Sequence, residues 1–415
     1  MAVHAHTLLG GPIPVAQANA AILSQFLSRF KAGRSAERPW IELVMTTAVS
    51  STTPSLISTA LQANASALCA NDLQKPEISQ HATKLYLFVI AQLQALLRSP
   101  KWSDTLVLHT CMIVSFYDRI AGQDPAASHA HVRGVARLIQ AKGPQSFMNG
   151  VEHQTFRYYR INIVSLPERA VTQDRALKPP RFMISVADRT PCFLAEADWR
   201  NVPFSGDCPP KTILDILLDS LSEIPGVLAA AENLSKGGLS RYVLVQKAFE
   251  LAYRVRCLIW DLEKWKELHI WTHPAICKEP HLRSLDLLAL CRLITELHPY
   301  DARLGEALSC YTGAQLILAR VAQRLGERSF LMRTALRLPH TIYDLVSSIV
   351  LVSKAQIIAE NSDLISLIAT TFPLKVARGT TELEHPELSK AIRDLLNQIA
   401  AEFSRRYNLK YTAAS

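Results

Sequence analysis

Closely spaced cysteines are missing from this chain of 415 residues: the eight cysteines, Cys69, Cys111, Cys192, Cys208, Cys257, Cys277, Cys291 and Cys310, come no nearer to one another than 14 positions. A zinc-cluster DNA reader needs six thiolates with Cys-x-x-Cys pairs, because short spacing lets one turn wrap a metal and share sulfurs between two ions. No such knuckle can be drawn, and in a chain of this size scattered thiols point to buried cysteines rather than a disulfide framework. Charge is missing too, since the first 28 residues contain no Lys, Arg, Asp or Glu. That excludes a basic arm and the positive leader of a signal peptide. The uncharged run from Leu43 to Asn71 is long enough to cross a bilayer, but Ser, Thr, Asn and Gln crowd it and Pro54 breaks it. No membrane span and an intracellular, cytoplasmic location are expected.

The standard catalytic motifs are also lacking. There is no Gly-x-Gly-x-x-Gly, phosphate loop, His-Glu-x-x-His or Gly-x-Ser-x-Gly, so neither a cofactor nor a metal is expected. A magnesium-dependent terpene cyclase would need clustered acids to hold its metal against diphosphate. Here Asp118 and Asp124 are six apart, and Asp344 meets Glu360 and Asp363 only much later. The formal charge of +9 is spread over Lys31, Arg34 and Arg38, over Arg169, Arg175, Lys178 and Arg181, and over Arg405, Arg406 and Lys410. A nucleic-acid binder concentrates its charge on one face, often with aromatic side chains between. No direct nucleic-acid binding is expected.

What the chain has is helical periodicity. In DTLVLHTCMIVSFYDRI, Leu106, His109, Met112, Ile113, Phe116 and Ile120 recur at spacings of three and four, and residues 211–224, 287–298 and 392–407 repeat the pattern. An all-α fold follows, a single large helical array with a Pro-rich irregular segment. Ser128 is a candidate cap for a helix ending at Gly143-Pro144, and further helices are expected from Gly150 to Ser165 and from Leu239 to Glu267. Seven prolines between 167 and 210 argue against long helices there,. KPPRFMISVA, 178–187, is the one strand candidate.

The segment Ser128 to Arg160, SHAHVRGVARLIQAKGPQSFMNGVEHQTFRYYR, resembles a signature in the large C-terminal helical domain of fungal zinc-cluster transcription regulators. The matching residues are His131, Gly134, Leu138, Gly143, Pro144, Phe147 and Arg160. HATKLYLFVIAQLQALL (81–97), residues 104–122, FLAEADWRNVPF (193–204), YTGAQLILARVAQRL (311–325) and FPLKVA (372–377) are similar to further parts of that domain. The resemblance covers roughly residues 35 to 380. It implies an N-terminal extension, 1–34, with a short helix, and a regulator-like domain, 35–415, whose subregions 35–166 and 211–415 are joined by the irregular segment 167–210.

Two functions are compatible with a regulator-like domain that lacks a zinc cluster. In the first, the scaffold is recruited to fungal secondary metabolism as a cofactor-independent cyclase or pericyclase acting on an apolar small-molecule substrate. Such chemistry needs a pocket that imposes one conformer and donors aimed at the developing charge. His109 and Tyr117 on one helix, with Arg157 and Tyr158 on another, are the candidate catalytic donors. Phe116, Trp199 and Phe204 are candidate walls, and Asp344 and Lys354, with Ser347 on the same stripe, candidate ligand contacts. In the second, the chain is a transcription-regulator-like nuclear protein that acts through a protein partner or a small-molecule effector, and the same polar residues tie helices together. Arg160 is the residue the resemblance points to for that role.

Overall fold

The computed structural model describes residues 55–121, 125–165, 191–235, 240–273, 286–297, 302–336, 338–358, 364–381 and 385–407, together with Leu23, Ser24, Phe26 and Ile276. Every regular element among them is a helix, so the fold is all-α. The strand candidate at 178–187 and the proline-rich run from 167 to 190 lie outside the described residues, as does most of the N-terminal extension. Between 191 and 210 only short pieces form, as the prolines dictate. These are 3-10 turns at Phe193–Ala195 and Val202–Phe204, plus one brief helix. Packing separates the chain into two units, Met1–Val135 with Phe403–Tyr411, and Ala136–Glu402 with Thr412–Ser415.

The first unit is built on α1 (Leu56–Leu73), α2 (Pro76–Leu97) and α3 (Thr105–Ala121), with α1 packed against both others. Small side chains surround α1, and Ala60, Ala63, Ala65 and Ala67 are all buried along with Leu61 and Leu68, so neighbours can approach closely on several sides. Ser55 caps its start, its hydroxyl accepting from the Ser58 N–H at 3.2 Å,. Asn64 and Asn71 donate their side-chain amides to the Ile113 and Ile120 carbonyls of α3 at 3.2 and 2.8 Å. Helix α4 (Pro125–Lys142) gives its first turns to this unit and its last to the second. It begins three residues before Ser128, because proline is well suited to a first helical position, and it stops where Gly143 takes a φ of +78°.

The second unit holds α5 (Gly150–Ser165), α6 (Ala197–Asn201), α7 (Ile213–Leu221), α8 (Ile224–Ser235), α9 (Arg241–His269), α10 (Leu287–Leu297), α11 (Ala302–Arg328), α12 (Phe330–Ala335), α13 (Ile342–Ile358), α14 (Leu364–Thr381) and most of α15 (Pro386–Tyr407). Its centre is α11, which packs against α7, α8, α9, α10, α12, α13 and α14 and is buried without a break from Leu304 to Ala319. Gly313 lets α14 approach: a Cβ there would come within 3.2 Å of the Pro373 side chain. Such depth requires partners for polar groups. Gln356 on α13 supplies one, accepting at Oε1 from Thr370 at 2.7 Å and from Ser309 at 3.3 Å.

Candidate functional site

Thr212 and Asp215 open α7 with a capping box. The carboxylate Oδ2 accepts from the Thr212 N–H and hydroxyl at 3.0 and 2.7 Å, and the Asp215 N–H donates to the Thr212 hydroxyl at 3.2 Å,. This fixes the carboxylate where two arginines of α5 reach it. Arg157 donates Nε and Nη2 to Oδ2 at 3.1 and 2.8 Å, and Arg160 donates Nη1 to Oδ1 at 3.2 Å and to the Asp215 carbonyl at 3.4 Å. The second arm of Arg160 reaches Asp219 at 2.5 Å, and Lys211 meets the other oxygen of that carboxylate at 2.6 Å. Burial pushes the Asp215 carboxyl up, but Arg157, Arg160 and Thr212 outweigh it and hold the group below the usual carboxylate range. Arg160 is 1% exposed, so it is a buried cation held by one buried and one half-buried anion,.

Aromatic rings wrap this hub. The Arg160 guanidinium lies 5.1 Å from the Phe204 ring centre and 5.7 Å from that of Phe156. Trp199, 4% exposed, packs among Phe147, Phe156 and Phe193 at ring-centre distances of 6.0, 5.6 and 4.8 Å. His153 bonds the Phe147 carbonyl through Nδ1 at 3.0 Å, and its ring edge meets Phe204 at 5.5 Å. Trp199 is therefore a core plug. Tyr158 is half-buried beside this hub on α5.

His109, Phe116 and Tyr117 belong to the first unit, and the other candidate residues to the second. His109 and Tyr117 are buried on α3. The Tyr117 hydroxyl bonds Thr83 of α2 at 3.1 Å, and its ring stacks on Tyr86 at 4.2 Å. Tyr86 in turn bonds His131 at 3.0 Å, and His131 lies 3.4 Å from Asp118. Burial first, then the Asp118 charge, raises the Tyr86 pKa, while burial lowers that of His131. A phenol hydrogen-bonded to an imidazole thus lies beside a buried carboxylate.

On α13, Asp344 accepts from the Thr341 N–H and hydroxyl at 3.2 and 2.6 Å and so caps the helix, whereas Lys354 is exposed. Ten positions separate them, about 15 Å of helix, too far for an ion pair.

Sequence reasoning missed a third cluster, around Glu263 of α9. Oε1 accepts from Tyr311 at 2.5 Å and Gln315 at 2.8 Å and lies 3.4 Å from His340 Nε2, and Oε2 accepts from Lys266 at 2.5 Å. Burial raises its pKa, but His340, Lys266 and Tyr311 together bring it down to about 2. The cluster draws on α9, α11 and the approach to α13, and no local motif links residues so far apart. Asp215 had a visible sign in the Thr-x-x-Asp pattern at 212–215, whereas Tyr86 and Thr83 had none.

A groove of about 450 Å3, open to solvent, runs beside α11, α12 and the start of α13, lined by Gly326, Arg333, Leu336 and Ile342 among others. None of the candidate site residues lines it. Among the described residues no three His, Cys, Asp or Glu side chains gather as metal ligands, and no helix is long and apolar enough to cross a membrane. Burial pushes the Cys111 and Cys291 thiols up to about 12, which leaves them unsuited to act as thiolate nucleophiles,. No family model, curated protein or solved structure matches this chain.

Proposed function

We propose that this chain acts as a regulator-type helical domain of the kind found in fungal zinc-cluster transcription regulators, working through a protein partner or small-molecule effector rather than by catalysis. The single observation that carries this reading is the state of the candidate donor Arg157: it is committed to Asp215, the carboxylate that also ties Arg160, with Asp219 as a second anchor for Arg160. A cyclase would instead need such donors aimed at empty, ligand-sized space. Arg160 then plays the tying role that the resemblance implies, and His131, another signature residue, is held by Tyr86 and Asp118. A nuclear location goes with this reading.

Tethering the full chain to a heterologous DNA-binding domain tests it. Reporter transcription should change several-fold, and Arg157→Lys, which keeps the charge near Asp215, should leave that change in place. An inert tether, together with conversion of a polyene or enone by the purified chain, would overturn the proposal in favour of the cyclase.

A further inference from the structure

Helix α9 buries Leu251, Val255, Leu258 and Leu262 on one side and turns a row of large apolar side chains the opposite way. Tyr242, Val245, Phe249, Tyr253 and Trp260 are 80, 43, 46, 61 and 70% exposed. At about 100° of rotation per residue, these five positions fall on one straight stripe, about 27 Å long. Their spacing follows three-four-four steps, 242, 245, 249 and then 253, 256, 260. An 11-residue repeat of this kind keeps a stripe nearly parallel to the helix axis. Arg256 fills the remaining position, its guanidinium 5.7 Å from the Tyr253 ring centre.

The four aromatic positions of the stripe are also symmetric about its midpoint. Tyr242 and Trp260 lie nine residues to either side of Leu251, and Phe249 and Tyr253 lie two to either side. An isologous contact requires such self-complementarity, because each surface must fit a copy of itself turned by 180°. We propose that α9 is a homodimerisation surface, pairing antiparallel with α9 of a second copy of this chain about a two-fold axis at Leu251. Tyr242 then meets Trp260 of the partner subunit, and Phe249 meets Tyr253 of the partner subunit.

Area favours a second copy, and charge does not oppose it. With roughly 150–250 Å2 per aromatic side chain, the exposed fractions of the four rings leave about 500 Å2 on each chain. Fully covered, the rings of two copies together bury about 1,000 Å2, which reaches the lower threshold of a biological interface. Arg254 lies off the stripe, toward α8, where it pairs with Glu223 at 3.2 Å. The two Arg256 side chains, five residues to either side of Leu251, stand about 15 Å apart along the axis and do not oppose one another.

Sedimentation equilibrium of the full chain over a micromolar range tests the pairing. The wild type should be a dimer, and Tyr253→Glu/Trp260→Glu should weaken it by about 100-fold or more with an unchanged far-UV circular dichroism spectrum. Tyr242→Lys, at the most exposed position of the stripe, is the milder variant and should weaken the dimer by about tenfold. For register, in a Cys257→Ser background that removes the native thiol of α9, a short bismaleimide should link Tyr242→Cys/Trp260→Cys across copies well above background, and Tyr242→Cys alone should not be linked. A monomeric wild type, a dimer untouched by the double glutamate variant, or efficient linking of Tyr242→Cys alone would each overturn the inference.

Discussion

Helices α5 and α9 draw on the same residue types, tyrosine, phenylalanine and arginine at helical spacing, and their fates are opposite. On α5 the arginines turn inward onto Asp215 and Asp219, and Phe156 is buried with Trp199. On α9, Tyr253, Arg256 and Trp260 turn outward. The difference comes from the neighbours. Helix α7 presents two carboxylates to α5 at the spacing two guanidinium groups need, while the inner face of α9 already holds enough leucine and valine to satisfy the core. Aromatic and cationic side chains on a helix do not by themselves say whether they build an interior or a contact surface.

The comparison breaks most severely at its buried end. Asp215→Ala strips Arg157 of its carboxylate and leaves the buried Arg160 with Asp219 alone, and loss of one partner of a buried pair costs about 3–5 kcal/mol, read as a fall in the urea midpoint. The same substitution should leave the oligomeric state of the folded fraction unchanged. Acid attacks the same end. The folded pKa values of Asp215 and Glu263 lie below their unfolded values, so the stability they contribute is present above the ordinary carboxylate range and is lost as pH falls through the folded values,. Thermal melts should therefore weaken steadily from about pH 4.5 toward the Glu263 value of about 2.

At the outward end, Trp260→Ala should weaken self-association by about 2 kcal/mol, as expected of a large aromatic anchor, while shifting unfolding by no more than about 0.5 kcal/mol. Sedimentation and urea titration of one preparation separate the two effects. Thr212→Ala removes the cap that aims Asp215 and should cost about 1 kcal/mol. Lys354→Ala, on an exposed position of α13, should change stability by less than about 0.5 kcal/mol, seen as coincident denaturation curves.

Much of the helical framework could be read from the chain. The periodicity of 104–120 gives α3, Gly150 and Ser165 bound α5 as expected, and α9 runs from Arg241 to His269 against an expected 239–267. The polar partners were far less legible. Arg157 and Arg160 stood out in the sequence, but Asp215 and Asp219 lie more than 50 positions away, and the Thr-x-x-Asp pattern marks Asp215 as a helix cap without showing which arginines it meets. Glu263, Tyr311 and His340 come from three separate elements and share no pattern.

By itself, then, the sequence determined where helices begin and end, because capping, proline stops and apolar spacing act over a few residues. Only the tertiary structure decided which charges are quenched and which aromatic rings stay in water. Burial and ion pairing depend on what a distant segment brings alongside, and that is fixed only when the helices pack.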